Sequence, residues 1–214
     1  MFPALYAILD PSIIPGPLGP FAEALAQAGV QLVQLRDKRS GAGKICAEAK
    51  ALAALLAPRN VRLIVNDRPD IAAIAGAGGV HVGQDDLPAE EARRICGAPL
   101  WVGVSTHTIE QVRQAALTSA DYIAVGPVFP TATKENPDPV VGLEFVRAAR
   151  ALTQKPIVAI GGITVERVAE VYRAGADSAA VIRDLLSAAD PVSRAREYLA
   201  IAEQVKRLPK TGAF

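Results

Sequence analysis

Short apolar runs alternate with alanine-rich helical stretches along nearly the whole chain, and this alternation constrains the fold more than any single residue. The runs fall at 5–9, 32–35, 63–65, 79–82, 101–104, 122–125, 157–160 and 178–181. Each is short and free of formal charge, as a strand covered on both faces must be. The helical stretches that follow them are 19–28, 42–56, 69–75, 88–95, 109–117, 143–151, 165–174 and 191–206. Parallel strands need crossovers of this kind. Eight strand–helix units in 214 residues point to the α/β class and to a single (β/α)8 TIM barrel. An open doubly wound sheet is the alternative, and it usually has fewer units. No linker, low-complexity tract or shift in composition divides the chain. Residues 1–214 are therefore expected to form one barrel domain, with 208–214 as a loose tail.

The helix ends carry their own signals. Asp190-Pro191 sets a capping carboxylate before a proline at the first helical position. Thr164 offers a hydroxyl cap to the stretch that follows it, and His107 is expected to open the fifth helix. Glycine stands where helices should stop, at Ala28-Gly29, Ala77-Gly78 and Ala174-Gly175, with Ser119-Ala120-Asp121 as a near variant. These are copies of one helix–turn–strand unit.

Composition narrows the function classes. Hydrophobic residues make up 50% of the chain and aromatics 5%, so Ala, Val, Leu and Ile must build the core. A net charge of +1, with no block of like charge, argues against a non-specific nucleic-acid partner. No apolar run is long enough to span a bilayer. The first basic residue is Arg36, so the start lacks the basic region of a secretory signal. Cys46 and Cys96 have no metal-ligand neighbours and are expected to be free thiols in a reducing, cytoplasmic setting. Self-association into a homo-oligomer stays open.

In a barrel of this kind chemistry sits where the strands end. Asp10 follows the first run; Gln34, Arg36 and Lys38 close the second; Asn66 and Asp67 follow the third. Gln84, Asp85 and Asp86 follow the fourth; Ser105, Thr106 and His107 the fifth; Gly161-Gly162 the seventh; Arg183 and Asp184 the eighth. The sixth exit is the longest, running from Gly126-Pro127 to about Val141 and carrying Thr131, Thr133 and Lys134. Long connections in compact domains are usually functional, and this one is expected to close over bound substrates. Acids beside several cations suit a divalent metal with a phosphorylated ligand, because magnesium favours a few carboxylates plus phosphate oxygens. The plainer alternative is that Arg36, Lys38, Asp67 and Asp86 form ion pairs on the rim.

Six segments, in order, resemble the thiamine-phosphate synthase (pyrophosphorylase) family. They are Val33-Gln34-Leu35-Arg36-Asp37-Lys38, Val65-Asn66-Asp67, Val80-His81-Val82-Gly83-Gln84-Asp85-Asp86, Gly103-Val104-Ser105-Thr106-His107-Thr108, Gly126 to Lys134, and Ile160-Gly161-Gly162-Ile163. The resemblance implies a (β/α)8 barrel. It implies a transferase that joins a pyrimidine methyl diphosphate to a thiazole phosphate, releasing pyrophosphate, with Mg2+ as cofactor. It also implies that Gln34, Arg36 and Lys38 hold the pyrimidine diphosphate, with Asn66, Ser105 and Lys134 adding contacts. Asp67 and Asp86 would bind magnesium. Thr131, Thr133, Gly162 and the turn at Ile182-Arg183 would bind the thiazole phosphate. Arg36, Lys38, Lys134 and Ser105 would be catalytic, stabilising the diphosphate as it departs. No general base is needed, and His81 is expected to be a core or lining residue.

The chain departs from the family pattern after the eighth run, where Arg183-Asp184 replaces a small pair. Either Arg183 adds a direct phosphate contact, or it pairs with Asp184 and faces away. Other functions fit the same barrel, among them a phosphate-binding barrel with different chemistry, which the Asn66-Asp67 and Gly83–Asp86 segments argue against. A thiazole tautomerase or regulator-like relative would carry a histidine where this chain has Pro127, and proline does no acid–base chemistry. A catalytically silent barrel would bind a phosphorylated metabolite, and retention of the acids and cations argues against it.

Overall fold

The computed structural model describes residues 1–14, 16–131 and 138–207. Eight strands, β1 (Leu5–Leu9), β2 (Leu32–Leu35), β3 (Arg62–Asn66), β4 (Gly79–Val82), β5 (Trp101–Thr106), β6 (Tyr122–Val125), β7 (Ile157–Ile160) and β8 (Ser178–Val181), lie in sequence order. They close into a barrel in which every neighbouring pair is parallel, and Leu5 meets Ala179 where β1 and β8 join. Strands β3 and β5 are longer than their apolar runs. Asn66 continues the ladder opposite His81, and Ser105 and Thr106 continue it opposite Ala124 and Val125. Polar residues end a hydrophobic pattern before they end the hydrogen bonding, so Asn66 and Ser105 stand on strands and not on loops.

Outside the barrel run α1 (Leu18–Gln27), α2 (Ala42–Leu56), α3 (Pro69–Ile74), α4 (Ala89–Cys96), α5 (Ile109–Leu117), α6 (Gly142–Leu152), α7 (Val168–Arg173), α8 (Arg183–Leu186) and α9 (Pro191–Arg207). Asp190 caps α9 as expected: its Oδ1 accepts from the amides of Val192 and Ser193, both at 3.0 Å. Two expected helix openings differ in the residue that caps them. Thr108, not His107, caps α5, through a capping box with Gln111. Helix α7 begins at Val168 because a separate turn intervenes, with the Arg167 amide bonded to the Thr164 carbonyl at 3.1 Å. The Thr164 hydroxyl serves the Glu166 carboxylate instead of capping the helix. Helix α8 has four residues, too few for a helical period to show in sequence.

The apolar residues form two layers. One lies between sheet and helices and holds residues such as Leu25, Leu52, Val146 and Val171. The other fills the barrel itself, with Tyr6, Ile8, Leu32, Ile64, Tyr122, Ala124, Val158 and Ala180. Alternation along each strand sends odd and even positions to opposite layers. Aliphatic residues do dominate the core, yet all four tyrosines are buried too.

One device recurs where strands begin. Asp121, just before β6, accepts from the Val102 amide at 2.7 Å and from Arg93 of α4. Asp177, just before β8, accepts from the Ile157 amide at 2.8 Å and from Arg150 of α6 at 2.9 Å. In both, an arginine near a helix end also holds backbone carbonyls in the loop that follows: Gly97 and Leu100 for Arg93, Thr153 and Lys155 for Arg150. Each staple fastens a helix, the next strand and the strand after that. All of this lies opposite the end at which the strands finish, so that end is left to function.

Candidate functional site

At the C-terminal mouth the chain collects its charged residues in two groups. The first joins β1 and β2. Asp10, its side chain 9% exposed, accepts from Arg36 Nη1 at 2.7 Å and from the Ser12 hydroxyl at 2.6 Å. Sequence reading noted Asp10 at a strand exit without giving it a role. Its role in the fold is to orient Arg36, whose guanidinium keeps further donors for a ligand.

The second group joins β2, β3 and β4. Lys38 is ion-paired with Asp67 Oδ2. Asp67 has a left-handed backbone (φ 60°), and its amide donates to the His81 carbonyl at 2.7 Å. A non-glycine residue in that region is uncommon and marks a place where the surrounding structure fixes the chain. Asp86 accepts from the Gly83 amide at 2.8 Å. Burial pushes the Asp86 carboxyl above its ordinary pKa, and its hydrogen bond to the Asp67 carboxyl adds to the rise. The side chains of Asp67 and Asp86 thus meet. Among the described residues no cluster of three or more His, Cys, Asp or Glu side chains could hold a metal. Two carboxylates suffice for magnesium when substrate phosphates and water complete its shell.

A third feature lies inside the barrel, and sequence reading missed it. Gln34 is 3% exposed, and its Nε2 donates to the Tyr6 hydroxyl at 2.7 Å. The hydroxyls of Tyr6 and Tyr122 are 3.0 Å apart. The Tyr122 hydroxyl is 3.0 Å from His81 Nδ1, and His81 Nε2 is 2.9 Å from Ser105 Oγ. Burial pushes His81 down to about 4 and raises both tyrosines, so all three are uncharged near neutrality. A histidine inside one strand and tyrosines inside two others gave no sequence signal that they would meet. His81 does line the interior, as expected.

The longest connection is tied at its neck. Val141 donates to the Pro127 carbonyl at 2.9 Å, and His107 Nδ1 donates to the Gly126 carbonyl at 2.6 Å. The Val128 and Phe129 amides bond the carbonyls of Ile160 and Gly161 at 2.8 and 3.0 Å. Gly161 and Gly162 have positive φ (99° and 63°), and a Cβ on Gly162 would lie 2.4 Å from the Pro130 carbonyl oxygen. The β6 and β7 exits are packed together there, with Thr131 beside Gly162's neighbour Pro130 in the chain. Thr133 and Lys134 lie outside the described residues, as do most of the expected closing segment and the tail 208–214. At the eighth exit Ile182 leads into α8, where Arg183 is the first residue. Asp184 faces α9: its Oδ2 accepts from the Tyr198 hydroxyl at 2.7 Å and lies 3.6 Å from Arg194. Both cysteines are free, Cys96 buried and Cys46 partly so. No helix among the described residues is long and apolar enough to cross a membrane.

Comparison with known proteins agrees with the fold. The family described as thiamine monophosphate synthase matches residues 5–185. A thiamine-phosphate synthase of Koribacter versatilis is 51% identical over 204 residues, spanning 93% of this chain and 95% of that protein. One from Methanospirillum hungatei is 40% identical over 195 residues, 91% of this chain and 95% of that one. Among solved structures, the thiamine phosphate pyrophosphorylase of Pyrococcus furiosus superposes with a TM-score of 0.85 at 32% identity, covering 94% of this chain and 96% of that one.

Proposed function

The chain belongs to the thiamine monophosphate synthase family, and on that premise we propose that it joins a pyrimidine methyl diphosphate to a thiazole phosphate, giving thiamine phosphate and pyrophosphate. It is a transferase. The observation that carries the reading is the meeting of Asp67, Asp86 and Lys38 at the ends of β2, β3 and β4. A carboxylate whose proton affinity is raised by burial and by a neighbouring carboxylate is poorly matched to that neighbour and well matched to a divalent cation. Magnesium held there would supply a Lewis acid for the diphosphate oxygens.

The chain's own residues do the rest. Arg36, oriented by Asp10, and Lys38 would grip the diphosphate and gain in strength as the carbon–oxygen bond breaks and negative charge collects on the leaving group. Asn66, Ser105 and Lys134 add donors to the same substrate. Gln34, buried in the barrel, adds a contact to the same substrate. Thr131, Thr133, the Gly162 amide and the turn at Ile182-Arg183 hold the thiazole phosphate. The electron-rich pyrimidine can carry positive charge on its methylene, and the thiazole nitrogen already has a lone pair. The substitution therefore runs dissociatively and needs no general base. With two free thiols and a soluble biosynthetic role, the proposed location is the cytoplasm.

The test is incubation of the protein with both substrates and Mg2+. Thiamine phosphate and pyrophosphate should appear in equal amounts and disappear when the metal is chelated. Calorimetric binding of both ligands without product would instead make this a binding barrel.

A further inference from the structure

The interior chain from Gln34 to Ser105 has a direction. An amide N–H can only donate, so Gln34 Nε2 donates to the Tyr6 hydroxyl oxygen. Tyr6 is buried, and among the described residues the Tyr122 oxygen at 3.0 Å is its only other hydrogen-bond neighbour, so its own proton is satisfied only there. Tyr122, having accepted, donates to His81 Nδ1. The imidazole is buried and meets a hydroxyl at each nitrogen, so it is neutral and carries one proton. With Nδ1 accepting, that proton sits on Nε2 and is donated to Ser105 Oγ. The serine's proton is left over. Among the described residues it has no acceptor, and Ser105 is partly exposed near the end of β5.

We infer that this relay of Gln34, Tyr6, Tyr122 and His81 holds Ser105 as an outward hydrogen-bond donor, aimed at an acceptor oxygen of the substrate's diphosphate; Tyr122 and His81 are positioning residues acting through Ser105. The kinetic part of the inference rests on the function proposed above. The relay itself does not. A preset donor avoids reorganisation as charge develops, which is how fixed dipoles favour a transition state.

The fold makes room for the relay. A Cβ built on Gly103 would lie 2.0 Å from Tyr122 Cζ and 2.4 Å from its hydroxyl oxygen, so the ring occupies space that only glycine leaves. The rings of His81 and Tyr122 stack with centroids 5.5 Å apart and planes at 23°. One ring thereby fixes the other.

The first measurement is the 15N spectrum of the side-chain nitrogens in the labelled protein at neutral pH. The chain has two histidines, and His107→Asn identifies the signals of His81. The relay requires the proton on Nε2; a proton on Nδ1 would overturn it. The second is a double-mutant cycle in single-turnover rate with Tyr122→Phe and Ser105→Ala. Tyr122→Phe should slow the reaction roughly tenfold while the dissociation constant of the pyrimidine diphosphate changes less than about threefold. Adding it to Ser105→Ala should slow that variant no further, because Tyr122 acts only through the serine. Multiplying losses would mean that Tyr122 is merely structural and would overturn the inference. A protein with the Nε2 proton but no turnover would defeat the proposed function and leave the relay standing.

Discussion

Asp67 and Asp86 carry the sharpest consequences for individual residues. Their proximity raises Asp86 after burial has already done so, which means the folded state binds that proton more tightly than the unfolded chain does. Ionised Asp86 therefore costs stability above its unfolded pKa, and the cost lifts as pH falls through the raised folded value. Asp86→Asn should make the metal-free protein more stable near pH 7, by up to about 1 kcal/mol because water screens this partly exposed pair. The gain should vanish in acid. Magnesium should stabilise the wild type and not the variant. Denaturant melts at two pH values, with and without metal, check this. Activity should move the other way: Asp67→Ala and Asp86→Ala should each lose most of it while remaining folded. Near-normal rates at limiting magnesium in either variant would remove that residue from the metal site. These two positions were legible in sequence because a carboxylate at a strand exit beside Lys or Arg is a local pattern. Asp10 was only half legible: its place was plain, but its bond to Arg36 depends on which strands become neighbours. The relay was not legible at all, since Tyr6, His81 and Tyr122 come from three strands and meet only inside the closed barrel.

Among the elements, the staples at the strand starts are the most informative. Arg150 joins α6 to the carbonyls of Thr153 and Lys155 and to Asp177, which in turn holds the first amide of β7. Removing it leaves several polar groups without their partner. Hydrogen bonds to charged groups contribute about 1.5–3 kcal/mol each where they are buried, and this cluster is partly exposed. Arg150→Ala should thus cost about 2 kcal/mol of unfolding stability, with turnover per folded molecule unchanged because the staple is at the far end of the barrel. A chemical melt and an active-site titration would show both. Element positions were read well because each strand is an apolar run between glycine or aspartate turns. Six of the strands keep the expected ends, and β3 and β5 overrun theirs where hydrogen bonding continues past the last apolar residue. Helix α7 starts late because a positive-φ Gly161-Gly162 turn is followed by a second turn before the helix can begin. The expected Thr164 cap failed for that reason.

Across the whole molecule, closure of eight parallel strands turns scattered residues into one site. Gln34, Arg36, Asn66, Asp67, Asp86 and Ser105 lie on β2 to β5 or just beyond them, and the barrel aligns those strand ends at one face. Repetition of one strand–helix unit made this architecture legible from sequence. What each mouth residue touches was not, because that depends on barrel register. The central claim is that the cations at this mouth act as the diphosphate leaves, and not merely to bind it. Single-turnover rates and pyrimidine diphosphate dissociation constants for the wild type and Lys38→Ala test it most directly, with Lys134→Ala as a companion. The rate should fall roughly a hundredfold, about 3 kcal/mol of barrel-mouth stabilisation lost in the transition state, while binding weakens less than about tenfold. An unchanged single-turnover rate, whatever happened to binding, would contradict the account.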